Sequence, residues 1–121
     1  MKIIFTNGTE LEYIEAIETS TFYDNATRRM LEFKIEKDAI SLSTLNDILS
    51  NEENLVQLHL VNEEENAENY YNDYQIKMEL SVKTVPTGEF DESGEEVRAE
   101  RVIFKLGKLT YVEKQLRKLG L

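Results

Sequence analysis

The clearest pattern in the chain lies between Tyr74 and Leu106. Tyr74, Ile76, Met78, Leu80 and Val82 are apolar, and Gln75, Lys77, Glu79, Ser81 and Lys83 stand between them. Strict alternation is the period of a strand with one dry face and one wet face. A second strand is predicted from Val97 to about Leu106, with Val102, Phe104 and Leu106 on one face and Arg101, Ile103 and Lys105 on the other. The stretch between them, Pro86 to Glu96, holds the chain's only proline, two glycines, five acids and no base. Proline removes a ladder donor and glycine permits positive φ. The pattern predicts a mobile hairpin loop, longer than the common kind. Phe90 is the aromatic exception in this acidic tip. It is expected to fold back onto the sheet; the sharper reading makes it an anchor for a partner protein.

The rest of the chain reads as shorter elements around this hairpin. Residues 2–6 are β-rich, and Asn7-Gly8 is a two-residue hairpin signal. A return strand starts near Thr9, with Leu11 and Tyr13 on one parity and Ile14 and Ala16 on the other, which suggests a bulge near Tyr13-Ile14. Residues 18–27 read as polar and irregular, with a turn at Asp24-Asn25. Leu31, Phe33 and Ile35 mark a strand from Arg28 to Glu36, and the Arg28-Arg29 pair is expected to satisfy nearby carboxylates. A short helix is predicted over 43–50, capped by Ser41 or Ser43, with Leu42, Leu45, Ile48 and Leu49 as its apolar stripe. Leu55 to Val61 reads as a strand with Val56, Leu58 and Leu60 inward. Residues 62–73 read as an acidic connection, and Tyr70, Tyr71 and Tyr74 as cover for one end of the sheet. At the C-terminus, Thr110-x-x-Glu113 is a capping-box pattern. It opens a helix near 110–119 that is expected to dock on the sheet through Val112, Leu116 and Leu119, with Tyr111 widening the stripe. As an alternative, its basic side binds an acidic patch of another subunit.

Composition narrows the classes. A chain of 121 residues is one domain, 1–121, with room for a core. It has no cysteine, which excludes disulfides, thiolate metal sites and cysteine nucleophiles. No apolar run approaches a membrane span, and the N-terminal apolar run is too short for a signal peptide. The formal net charge of −10 disfavours binding to nucleic acid or anionic lipid, which needs clustered Lys and Arg. His59 is the only histidine and reads as a surface residue on the polar side of a strand. The sequons at Asn7 and Asn25 read as chance matches. Walker, GxGxxG, GxSxG and HExxH patterns are absent, and EF-hand spacing is absent from both acidic stretches. No catalytic, cofactor-binding or metal-ligating residue is assigned.

Three stretches together, Ile4 to Glu10, the Arg-Arg-x-Leu-Glu-Phe strand at 28–33 and Leu109 to Leu116, carry a resemblance. In their order the chain resembles uncharacterised small proteins encoded among prophage tail or baseplate genes of Gram-positive bacteria. That family has no established activity, so no functional residue is carried over. The resemblance implies a virion or assembly role, in the bacterial host cytoplasm or in the virion itself. The fold expected is α+β: an antiparallel sheet of about six strands curled into a sandwich or partial barrel, with two short helices. The function expected is a non-enzymatic structural or assembly protein that binds a protein partner or itself. Glu89, Phe90, Asp91 and Glu92 are the candidate interaction residues. No nucleic acid, membrane, small-molecule substrate or cofactor is expected. The alternative is an acidic inhibitor that mimics nucleic acid before a host defence protein.

Overall fold

The computed structural model describes residues 1–120. Eight strands form two antiparallel four-stranded sheets, joined by two α-helices and one 3-10 turn. The first sheet holds β1 (Lys2–Ile4), β2 (Glu10–Glu12), β5 (Gln57–Asn62) and β6 (Ala67–Asn72), in the order β2-β1-β5-β6. The second holds β3 (Glu15–Tyr23), β4 (Ala26–Glu36), β7 (Ile76–Phe90) and β8 (Glu96–Gly107), in the order β3-β4-β8-β7. The fold is thus α+β with two open sheets, and the expected six strands are eight.

One core lies between the sheets. Ile3, Leu11, Leu58 and Leu60 come from the first; Leu31, Phe33, Ile35, Val102, Phe104 and Leu106 come from the second. Phe33 stacks on Phe104 at 4.8 Å between centroids, and Tyr13 meets Phe33 edge-on at 5.7 Å. Helix α1 (Leu42–Ser50) adds Leu45, Ile48 and Leu49 to this core. Ser41 caps it by accepting from Thr44 N at 3.1 Å. Leu42, assigned to the apolar stripe, lies exposed.

The two extra strands are both sheet edges. Residues 18–23, expected to be irregular, continue β3 along β4 up to a two-residue turn at Asp24-Asn25, whose φ angles are 50° and 61°. Paired positive φ values are the mirror-image turn that suits strand twist. In place of the bulge expected at Tyr13-Ile14, the return strand ends at Glu12 and the chain passes there from one sheet to the other; Ile14 N donates to Lys34 O at 2.7 Å. Likewise 62–73 is no simple connection: after a turn at 63–66 it returns as β6 along β5. Edge strands bury little, so neither shows an alternating apolar face. Leu55 and Val56 also differ from expectation. They end a 3-10 turn over Glu52–Leu55 rather than opening β5; Leu55 is buried and Val56 exposed.

The alternation from Tyr74 to Val82 does not map onto one face. The register slips between Lys77 and Glu79, so Met78 is bulged. Leu80 and Val82 stand opposite the core residues Phe104 and Val102, whereas Ile76 stands opposite Gly107 and Lys77 opposite Leu106. Lys77 Nζ reaches Asn46 Oδ1 of α1 at 2.6 Å.

Candidate interaction surface

β7 and β8 outrun the sheet. β4 stops at Glu36, opposite Arg101, while β7 and β8 go on pairing from Thr84↔Glu100 to Pro86↔Arg98 and, past a register break between Pro86 and Phe90, close with Phe90↔Glu96. The result is a two-stranded arm, and the expected long loop is mostly strand. Only Asp91 to Glu95 form its tip. Asp91 Oδ1 accepts from Ser93 N at 2.9 Å, Ser93 Oγ at 2.6 Å and Glu95 N at 3.0 Å. The Ser93 hydroxyl, then the backbone amides, hold its carboxyl below the usual range. Gly94, at φ 84°, closes the turn. Asp91, one of the four candidate residues, therefore spends its carboxylate inside the tip. Glu89 and Glu92 are exposed beside it. Phe90 does not fold back onto the sheet: it is 66% exposed. The arm has no second layer beneath this position for an aromatic ring to pack on.

Helix α2 (Tyr111–Lys118) supplies the feature that pattern reading missed. Its capping box forms as predicted: Glu113 N donates to Thr110 Oγ1 at 3.3 Å, and Thr110 N donates to Glu113 Oε1 at 2.8 Å. The face that meets the body is nevertheless the charged one. Arg28 is buried, 4% exposed, and forks onto Glu113, Nη1 to Oε1 at 2.7 Å and Nη2 to Oε2 at 3.1 Å. Lys114 pairs with Asp73 at 3.0 Å and Arg117 with Glu52 at 3.0 Å. Positions 110, 113, 114 and 117 share one side of a helix, so the apolar stripe turns away. Tyr111 is 78% exposed, Val112 65% and Leu119 72%, and Leu116 is exposed too. The expected docking through Val112, Leu116 and Leu119 is thus reversed, and the acids that meet Lys114 and Arg117 belong to the same chain.

The remaining candidates resolve differently. Arg29 meets Glu18 at 2.9 Å, so each member of the Arg28-Arg29 pair finds a carboxylate. Tyr74 is buried in the core and donates its hydroxyl to Glu18 Oε2 at 2.6 Å. Burial first, then Glu18, raise the Tyr74 pKa, while the same bond lowers that of Glu18. His59 is half-buried, stacked on Tyr70 at 4.3 Å, with Nε2 3.5 Å from Glu68 Oε1. Among the described residues no three His, Asp or Glu side chains group as a metal site, and no helix is long and apolar enough to cross a membrane.

No protein-family model, no curated protein and no solved structure matches the chain.

Proposed function

We propose that this chain is a non-enzymatic structural or assembly protein that docks onto another protein through α2 and the β7–β8 arm. The prophage tail or baseplate setting implied by the resemblance is part of the proposal. The observation that carries it is the inversion of α2. Burying Tyr111, Val112 and Leu119 would stabilise the fold by about 1.5–3 kcal/mol each. The chain instead docks this helix by ion pairs and leaves those side chains in water. Exposed apolar groups ringed by charge mark protein contact sites. Phe90 on the arm supplies a second aromatic anchor of the kind that dominates interface energetics.

Six of the carboxylates on which the nucleic-acid-mimic alternative would draw are paired within the chain. Glu10, Glu18, Glu32, Asp73, Glu79 and Glu113 are spent on the chain's own lysines and arginines. The assembly reading is tested with a Phe90→Ala, Tyr111→Ser, Leu119→Ser triple variant added to tail particles that lack this protein. Wild-type protein should sediment with the particles. The variant should remain in the supernatant, and its melting temperature should match wild type. Equal sedimentation of both would sink the reading. Parallel loss of binding and melting temperature would assign these side chains to folding instead.

A further inference from the structure

The edge of the second sheet at β3 is open, and we propose that it pairs with the same strand of a second copy, across a two-fold axis at Thr19. This surface is separate from α2 and the arm, so either proposal can fail alone.

The turn at Asp24-Asn25 sets which backbone groups are free. In a two-residue hairpin the flanking residues, here Tyr23 and Ala26, form a hydrogen-bonded pair. Alternate residues follow: Thr21, Thr19, Ile17 and Glu15 bond to β4, and Phe22, Ser20, Glu18 and Ala16 turn their N–H and C=O outward. Among the described residues no hydrogen bond from outside β4 reaches those four backbone positions. β3 is nine residues long, and from Thr19 to Tyr23 it carries no charge. The other edges are blunted in the ways that suppress strand addition. β2 is three residues long between two glutamates, and β6 is shorter than β3 and carries Glu68. β7 is bulged at Met78, bears Lys77 and Lys83, and contains Pro86.

The occupant is a second copy because the strand complements itself. Antiparallel pairing about Thr19 sets Ser20 opposite Glu18 and Phe22 opposite Ala16 of the other chain. All four are outward-bonding positions, which gives about eight backbone hydrogen bonds. Ile17 faces Thr21, and Glu15 faces Tyr23, so no like charges stand opposite each other. In the alternative register centred on Glu18, two carboxylates would face each other on the axis. Side chains complete the match. Ala16 lines a cavity of about 200 Å³ with Tyr13, Leu31, Leu60, Tyr71 and Asn69. Its lining joins Ala16 and Glu18 of β3 to residues of β5 and β6. Phe22 is 71% exposed, and in this register Phe22 of the second copy stands opposite Ala16, a lining residue of that cavity. The two-fold makes the exchange reciprocal.

The test is solution mass by light scattering across a dilution series, on purified wild type, Thr19→Lys, Thr19→Glu and an equimolar mixture of the two variants. Thr19 is exposed, so both variants should fold and, at the dilute end where wild type is a monomer, melt as wild type. Wild type should give twice 14.1 kDa at the concentrated end. Each variant alone puts like charges on the axis and should dissociate about tenfold or more readily. The mixture should recover the dimer, because Lys then faces Glu. Phe22→Ala should also weaken the dimer, while its melting temperature at the dilute end matches wild type. A wild type that stays at 14.1 kDa throughout, or variants that keep the dimer, would overturn the proposal.

Discussion

Arg28 uses every N–H of its guanidinium inside the chain. Nε donates to Tyr23 O at 3.0 Å, Nη1 to Lys108 O at 3.0 Å and to Glu113, and Nη2 to Asp24 O at 3.4 Å and to Glu113. One side chain thereby ties the β3–β4 turn, the end of β8 and helix α2. The Arg28 bonds, followed by those of Thr110, pull the Glu113 pKa down to about 2. A carboxylate depressed in the folded state contributes stability that is fully present above its ordinary value of 4.5 and is lost as pH falls through about 2. Glu113→Gln leaves Arg28 buried without a counter-charge, which should cost about 3 kcal/mol. Its melting temperature should fall by roughly 10 °C at pH 7. Scans between pH 5 and pH 2 should show the gap to wild type closing, since the wild-type pair is lost there too. Gly107 is the second sensitive residue. A Cβ there would lie 3.0 Å from Arg28 Cδ and 3.0 Å from Met78 Sδ. Arg28 is pinned at its far end and cannot yield, so Gly107→Ala should destabilise by about 1–3 kcal/mol in denaturant titration.

At the scale of elements, legibility followed burial. β4 and β8 lie inside their sheet and place Leu31, Phe33, Ile35 and Val102, Phe104, Leu106 on the core, and their alternation is visible in the sequence. β3 and β6 are edges with most side chains in water, so their strand character rests on pairing partners that no local pattern encodes. The turn at Asp24-Asn25 was legible while the strand leading to it was not. Met78 shows the opposite failure: a flawless alternation is interrupted by a bulge, which answers to Gly107 and Arg28 rather than to its neighbours. Helix α2 was legible as a helix from its capping box. Its orientation was hidden because Glu113 answers to Arg28, 85 residues away, and an apolar stripe read alone always points to the core. The same limit applied to the arm, where five acids and a proline looked like a loop and proved to be strand on either side of a five-residue tip at 91–95.

For the whole molecule, ion pairs hold separate parts together: Arg28 with Glu113, Lys114 with Asp73 and Arg117 with Glu52. The body is a two-sheet core, and the elements outside it, α2 and the arm, carry the exposed aromatic and aliphatic side chains Phe90, Tyr111, Val112 and Leu119. These side chains stand outside the fold's own packing, whereas Glu113 anchors it. The direct test is a melting experiment at neutral pH on three proteins: wild type, Glu113→Gln, and the Phe90→Ala, Tyr111→Ser, Leu119→Ser variant. The triple variant should melt within about 2 °C of wild type, as surface changes do, while Glu113→Gln should melt well below both. A triple variant that loses as much stability as Glu113→Gln would show that the apolar face of α2 packs against the protein's own body, and would contradict this division of roles.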